Sequence, residues 1–204
     1  MTVRTVRIGI TGPIGCGKSQ VALWLGELGA RVVDADRVAR DVAAPGTPVH
    51  AAILRRFGAT VTAADGTLDR EALGRLVFAD PAALRELEAL VHPAVRPRIL
   101  ERIAAAEADG APAVAIEAIK LVEGGLADPC DEVWLVTCDP GIQRARLVGR
   151  GAVAPDVDQR MAAQAGLAER MRSSATRVLD TSGGLEETRA LVVAALDQAV
   201  AAAR

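Results

Sequence analysis

The sequence predicts an α/β fold built on a three-layer parallel sheet, with a helical insertion and a lid. Three observations lead there. The apolar run Val6-Arg7-Ile8-Gly9-Ile10-Thr11 enters the loop Gly12-Pro13-Ile14-Gly15-Cys16-Gly17-Lys18-Ser19 and then a helical pattern. Short apolar runs alternate with helical stretches along the chain, the signature of parallel strands joined by crossovers. Between the second and third of those runs lie some sixty residues that read almost entirely as helix.

Residues 6–11 form the first strand, buried on both faces in a parallel sheet. Val21, Leu25 and Leu28 recur at helical spacing over 18–28, and Gly29 ends that helix. Arg31 to Asp34 is the second strand, and residues 36–43 resume a helix that Pro45-Gly46-Thr47-Pro48 stops. Residues 48–57 are a short helix. A turn-rich stretch from Gly58 to Gly66 leads to Asp69, which caps a helix at 71–78. Asp80-Pro81 starts another, a cap followed by proline at the first helical position. His92-Pro93 is expected to break it, with a new helix over 96–107 tolerating Pro97 early in its course. Further strands fall at 113–117, 132–138 and 177–180. Helices fall at 140–150, 155–171 and 185–202. The resulting division is a nucleotide-binding core at 1–47 and 109–204, a substrate-side insertion at 48–108, and an arginine-bearing lid at 141–165.

Composition narrows the function. The chain has 204 residues, half of them hydrophobic but only 2% aromatic, so its core is aliphatic. Twenty-four basic residues against 26 acidic ones give a net charge of −2, which provides no global field for nucleic acid. Cys16, Cys130 and Cys138 are odd in number and widely spaced, which argues against a metal cluster or a disulfide framework. Cys16 reads as a small residue filling a tight turn. The first residues lack the layout of a signal peptide, and no run reaches the length of a membrane span, so a cytoplasmic location is expected.

The loop at 12–19 follows the pattern G-x-x-x-x-G-K-[ST] between a strand and a helix, as in P-loop nucleotide-binding proteins. Gly12, Gly15 and Gly17 permit strained angles and close approach of the backbone to phosphate. Lys18 reaches the terminal phosphates, and the Ser19 hydroxyl suits Mg²⁺. ATP and Mg²⁺ are therefore the expected cofactors. Asp36, past the second strand, is the candidate base for an acceptor hydroxyl, and Asp34 a candidate water-mediated metal ligand. Arg144, Arg146, Arg150 and Arg160 are candidates for closing over a polyphosphate, and the neighbouring glycines would let that segment move.

At this point the chain resembles the dephospho-coenzyme A kinase family. The likeness rests on Gly9 to Ser19, on Asp34-Ala35-Asp36, and on Leu73 to Pro93 with Phe78, Asp80-Pro81 and His92-Pro93. It also rests on Cys138-Asp139-Pro140 with Gln143, Arg146, Arg150, Arg160 and Gln164. The resemblance implies transfer of the ATP γ-phosphate to the 3′-hydroxyl of dephospho-CoA, with Asp36 as base and Gly15 to Gln20 holding ATP. It puts Phe78, His92 and Glu117 on the acceptor side, His92 in a mainly structural role, while Lys120 is a candidate for contact with a phosphate of either substrate. His50 matches nothing in the family and is expected at the surface. The chain departs from the family at Gln20, where a threonine is usual, and at Ile119 and Lys120, where proline and leucine are usual. Thr181 stands where the family has asparagine. A kinase of another nucleotide or nucleoside, and a nucleotide-dependent regulatory protein, would share the loop. The Phe78 and His92 landmarks and the arginine lid favour the first reading. A monomer or weak homo-oligomer is expected, without nucleic acid or membrane as a partner.

Overall fold

The computed structural model describes residues 4–203. Among them, five strands form one parallel sheet: β1 Val6–Thr11, β2 Arg31–Asp34, β3 Ala113–Glu117, β4 Glu132–Thr137 and β5 Arg177–Asp180, in the order β2-β3-β1-β4-β5. The three middle strands are the most apolar: Ile8, Ile10, Val114, Ile116, Trp134 and Leu135 are fully buried. Burying one such aliphatic side chain contributes roughly 1.5–3 kcal/mol, so the aliphatic residues around Trp134 supply what the scarce aromatics do not. β1 pairs with β3 on one side and β4 on the other. The chain thus fills one side of β1 with β2 and β3, then crosses to the other with β4 and β5, and the C-terminal end of β1 is the switch point where ligands sit in open α/β sheets.

Helix α1 (Lys18–Glu27) follows β1, and the C-terminal helix α9 (Leu185–Ala202) packs beside it over Val21, Leu25, Val192 and Leu196. Between them in sequence come α2 (Ala35–Val42), α3 (Pro48–Phe57), α4 (Arg70–Ala79), α5 (Pro81–Ala108), α6 (Pro140–Gly149), α7 (Ala154–Ala163) and α8 (Leu167–Arg172). The chain divides into two compact units. One comprises the residues up to Asp34 and those from Arg102 onward; the other is Ala35–Glu101. The second unit has its own core of Ile53, Phe57, Val61, Leu73, Val77 and Ala83, joined by Ala43 from just past α2. That contact draws α2 into the helical unit, where the sequence division starts only at residue 48.

Local signals explain the helix starts. The Thr47 hydroxyl accepts the His50 amide at 3.1 Å, with Pro48 at the first position. Asp69 accepts the amides of Glu71 and Ala72 at 3.1 and 2.9 Å. Three expectations need correction. His92-Pro93 does not break the chain, because α5 runs unbroken through Pro93 and Pro97. Each internal proline costs about 3 kcal/mol, which the burial of Val95, Ile99 and Ile103 along the same helix offsets. His50 is buried rather than at the surface, because it shares a face of α3 with Ile53 and Phe57. The helix expected over 155–171 is two helices, parted at Gly166 with φ +70°.

Candidate functional site

The loop after β1 owes its shape to glycine. Gly12 has φ +141°, and a Cβ there would lie 2.1 Å from the Val136 carbonyl oxygen of β4. No other residue lets the loop leave β1 this close to its neighbour. Gly17, with φ +90°, is the left-handed cap from which α1 begins. The α1 N-terminus therefore stands behind a loop of backbone N–H groups, the arrangement that favours phosphate. Lys18 is buried, and its ammonium donates to the carbonyls of Gly12 at 2.8 Å and Pro13 at 3.0 Å. The cation is thus folded over the loop it serves, while Gln20 lies part-buried in the first turn of α1.

The Ser19 hydroxyl donates to Glu117 Oε1 at 2.8 Å. Glu117 ends β3, and the parallel register sets Asp34 of β2 directly beside it. A hydroxyl and two carboxylates thus share the C-terminal edge of the sheet. These are hard oxygen donors of the kind Mg²⁺ takes through one or two carboxylates, water and substrate phosphate. Among the described residues, no group of three or more His, Cys, Asp or Glu forms a metal cage. Lys120 is exposed in the turn just past β3, which Thr11 fixes by donating its hydroxyl to the Ile119 carbonyl at 3.1 Å.

The arginine-bearing segment meets the loop through its glutamines. Gln143 of α6 donates to the Ile14 carbonyl at 2.6 Å, and Gln164, capping α7, accepts the Ile14 amide at 2.7 Å. One loop residue, Ile14, is held at both its main-chain N–H and its C=O. Gln143 shares the inward face of α6 with Leu147, and both are buried. A buried glutamine needs a fixed partner, and the Ile14 carbonyl supplies it. Arg146 donates through Nη1 to the Thr181 hydroxyl at 2.9 Å and through Nη2 to the Thr181 carbonyl at 2.6 Å. The buried Thr181 hydroxyl also lies 2.8 Å from the Cys16 carbonyl and 3.2 Å from that of Thr137. Thr181 therefore joins the loop, the end of β4 and Arg146.

The other arginines are placed differently. Arg144 forms a two-pronged pair with Asp158, at 2.8 and 3.2 Å, which ties α6 to α7. This pairing holds the Asp158 carboxyl below the usual carboxylate range. Arg144 is thus a brace between α6 and α7. Arg150 and Arg160 are exposed, at the end of α6 and on α7. Cys16 and Cys138 are far apart in sequence, yet their sulfurs lie 3.0 Å apart, with Cys138 donating. Asp36, Phe78 and His92 belong to the helical unit. Asp36 stands in the first turn of α2, two residues past Asp34. Phe78 is 83% exposed near the end of α4, and His92 is part-buried on α5.

The dephospho-CoA kinase family model matches residues 6–187. A dephospho-CoA kinase of Symbiobacterium thermophilum is 47% identical over 189 residues, 92% of this chain and 79% of that protein. A solved structure from Thermus thermophilus is similar with a TM-score of 0.79 at 36% identity, over 96% of this chain and 98% of its own. The dephospho-CoA kinase from Campylobacter jejuni aligns with a TM-score of 0.70 at 20% identity, over 97% of this chain and 98% of its own, a likeness of fold.

Proposed function

Because the chain belongs to the dephospho-CoA kinase family, we propose that it transfers the γ-phosphate of ATP to the 3′-hydroxyl of dephospho-CoA, giving ADP and coenzyme A. The observation that carries this reading is the extent of the family match. It runs from residue 6 to residue 187 and so takes in the helical unit as well as the phosphate loop. A phosphate loop alone leaves the acceptor unnamed.

In this reading, the loop from Gly12 to Gln20 cradles the ATP phosphates with Cys16 among its backbone donors. Lys18 neutralises charge as the γ-phosphoryl group leaves. Ser19 and Asp34, with Glu117 beside them, would hold Mg²⁺, which would offset phosphate charge when bound. Asp36 accepts the proton of the acceptor hydroxyl as the oxygen attacks phosphorus. Arg146 and Arg150 stabilise charge on the transferred group, which a loose transition state spreads over its oxygens. Phe78, His92 and Lys120 serve the acceptor side, Lys120 by contact with a phosphate. The enzyme acts in the cytoplasm, as a monomer or weak homo-oligomer.

The test is ADP release by the purified chain with Mg-ATP and a panel of acceptors: dephospho-CoA, adenosine and nucleoside monophosphates. Dephospho-CoA alone is expected to stimulate release. Stimulation by adenosine or a nucleoside monophosphate, without stimulation by dephospho-CoA, overturns the assignment.

A further inference from the structure

We propose that Cys16 and Cys138 form an oxidative modification site for small two-electron oxidants of the hydroperoxide class. Its product is a disulfide that ties the phosphate loop to the end of β4. The first support is proximity. Both thiols are free, and their sulfurs lie 3.0 Å apart although 122 positions separate them in sequence. A disulfide bond is about 2.0 Å long, so the pair closes with a movement of roughly 1 Å. The second support is selectivity. The remaining thiol, Cys130, is spent on the Leu126 carbonyl at 3.3 Å, and burial pushes it up to about 12. Cys16 is lowered instead, first by the S–H of Cys138 and then by the charges of Lys18 and Arg146. Cys138 is correspondingly raised and stays the proton donor. Nucleophile and resolving thiol are thus distinguished before any oxidant arrives. Cys138 is part-exposed, so the pair opens to solvent on that side, while Cys16 is buried.

The chemistry closes with hydrogen peroxide as oxidant. The Cys16 thiolate attacks one peroxide oxygen, the O–O bond breaks, and hydroxide leaves, giving a sulfenic acid. Cys138 gives its proton to that hydroxide, and its sulfur attacks Cys16 sulfur. The second hydroxide departs and takes up the proton first released by Cys16. Two thiols and one peroxide become one disulfide and two waters, the sulfur pair losing two electrons and the peroxide gaining them.

The consequence for turnover rests on the reading of this loop as the ATP site. Cys16 is a loop residue whose carbonyl is joined to Thr181, and through it to Arg146. Drawing its side chain toward β4 displaces a backbone built to fit phosphate, and misplacement by about 1 Å can cost on the order of a hundredfold in rate.

The experiment treats the full-length protein with hydrogen peroxide, blocks remaining thiols, and maps linked peptides by mass spectrometry. ADP release and binding of a fluorescent ATP analogue are measured in parallel, before and after dithiothreitol. The expected result is a Cys16–Cys138 linkage, weakened analogue binding, and at least about a tenfold loss of turnover that dithiothreitol reverses. Cys138→Ser, or Cys138→Ala as a second variant, keeps basal ADP release and resists the same dose. Cys130→Ser responds as the native chain does. Absence of the linkage, a linkage that changes neither analogue binding nor turnover, or a loss that persists in both Cys138 variants overturns the proposal. Peptide mapping and analogue binding need no acceptor, so they separate failure of this proposal from failure of the kinase assignment.

Discussion

Replacing Thr181 by valine removes one hydroxyl and leaves the shape of the side chain almost unchanged. The hydroxyl is buried, lies 2.8 Å from the Cys16 carbonyl and receives Arg146 Nη1 at 2.9 Å. In the valine variant the Cys16 carbonyl loses this donor, which costs about 1–3 kcal/mol for a buried acceptor left unpaired. Arg146 loses less, because its Nη2 keeps the Thr181 main-chain oxygen at 2.6 Å. The stability loss in urea unfolding is therefore expected at about 1–3 kcal/mol. If all of it were felt in the transition state, kcat/KM for ATP would fall by roughly five- to 150-fold, since 1.36 kcal/mol is a factor of ten. Thr181→Ser keeps the hydroxyl and should recover most of both losses. The assay is urea unfolding together with steady-state ADP release, varying ATP and acceptor separately. A valine variant within about 0.5 kcal/mol of the native stability, with unchanged kcat/KM for ATP, would refute the idea that Thr181 fixes the loop.

Gly12→Ala combines a strained φ with a Cβ aimed at the Val136 carbonyl; the two effects together should destabilise the chain by about 2–6 kcal/mol in denaturant. Lys18→Ala is expected to lower kcat by at least about a hundredfold, by analogy with loss of one preorganised donor; a near-normal rate rules that role out. Asp36→Asn should lower kcat by about 10²–10⁴-fold while leaving ATP affinity near native. Equal losses in rate and ATP affinity would mark Asp36 as a metal-holding or structural residue instead. Lys120→Ala should raise KM for dephospho-CoA with kcat little changed, the pattern of lost ground-state binding; unaltered acceptor kinetics remove Lys120 from the acceptor site.

Much of the fold was legible because its signals are local. Alternating apolar runs marked all five strands, and caps such as Asp69 and Asp80 marked helix starts within a residue or two. The phosphate loop was legible because glycine, lysine and serine spacing carries its own geometry. Errors arose where tertiary packing overrode a local rule. His92-Pro93 reads as a break, yet the buried stripe Val95, Ile99 and Ile103 carries α5 through it. His50 reads as surface until the face it shares with Ile53 and Phe57 is known. Contacts between distant positions were the least legible. Nothing in sequence joins Cys16 to Cys138, Ser19 to Glu117, or Ile14 to Gln143 and Gln164, because the parallel crossovers bring those segments together. The resemblance puts Glu117 on the acceptor side, and its contact with the loop serine became visible only in the structure.

The most direct test of the central claim is identification of the product by phosphorus-31 NMR after incubating the chain with Mg-ATP and dephospho-CoA. The account predicts stoichiometric ADP and one new phosphomonoester on the ribose 3′-oxygen of the acceptor. Phosphate on another oxygen, or inorganic phosphate released with the acceptor unchanged, would contradict it.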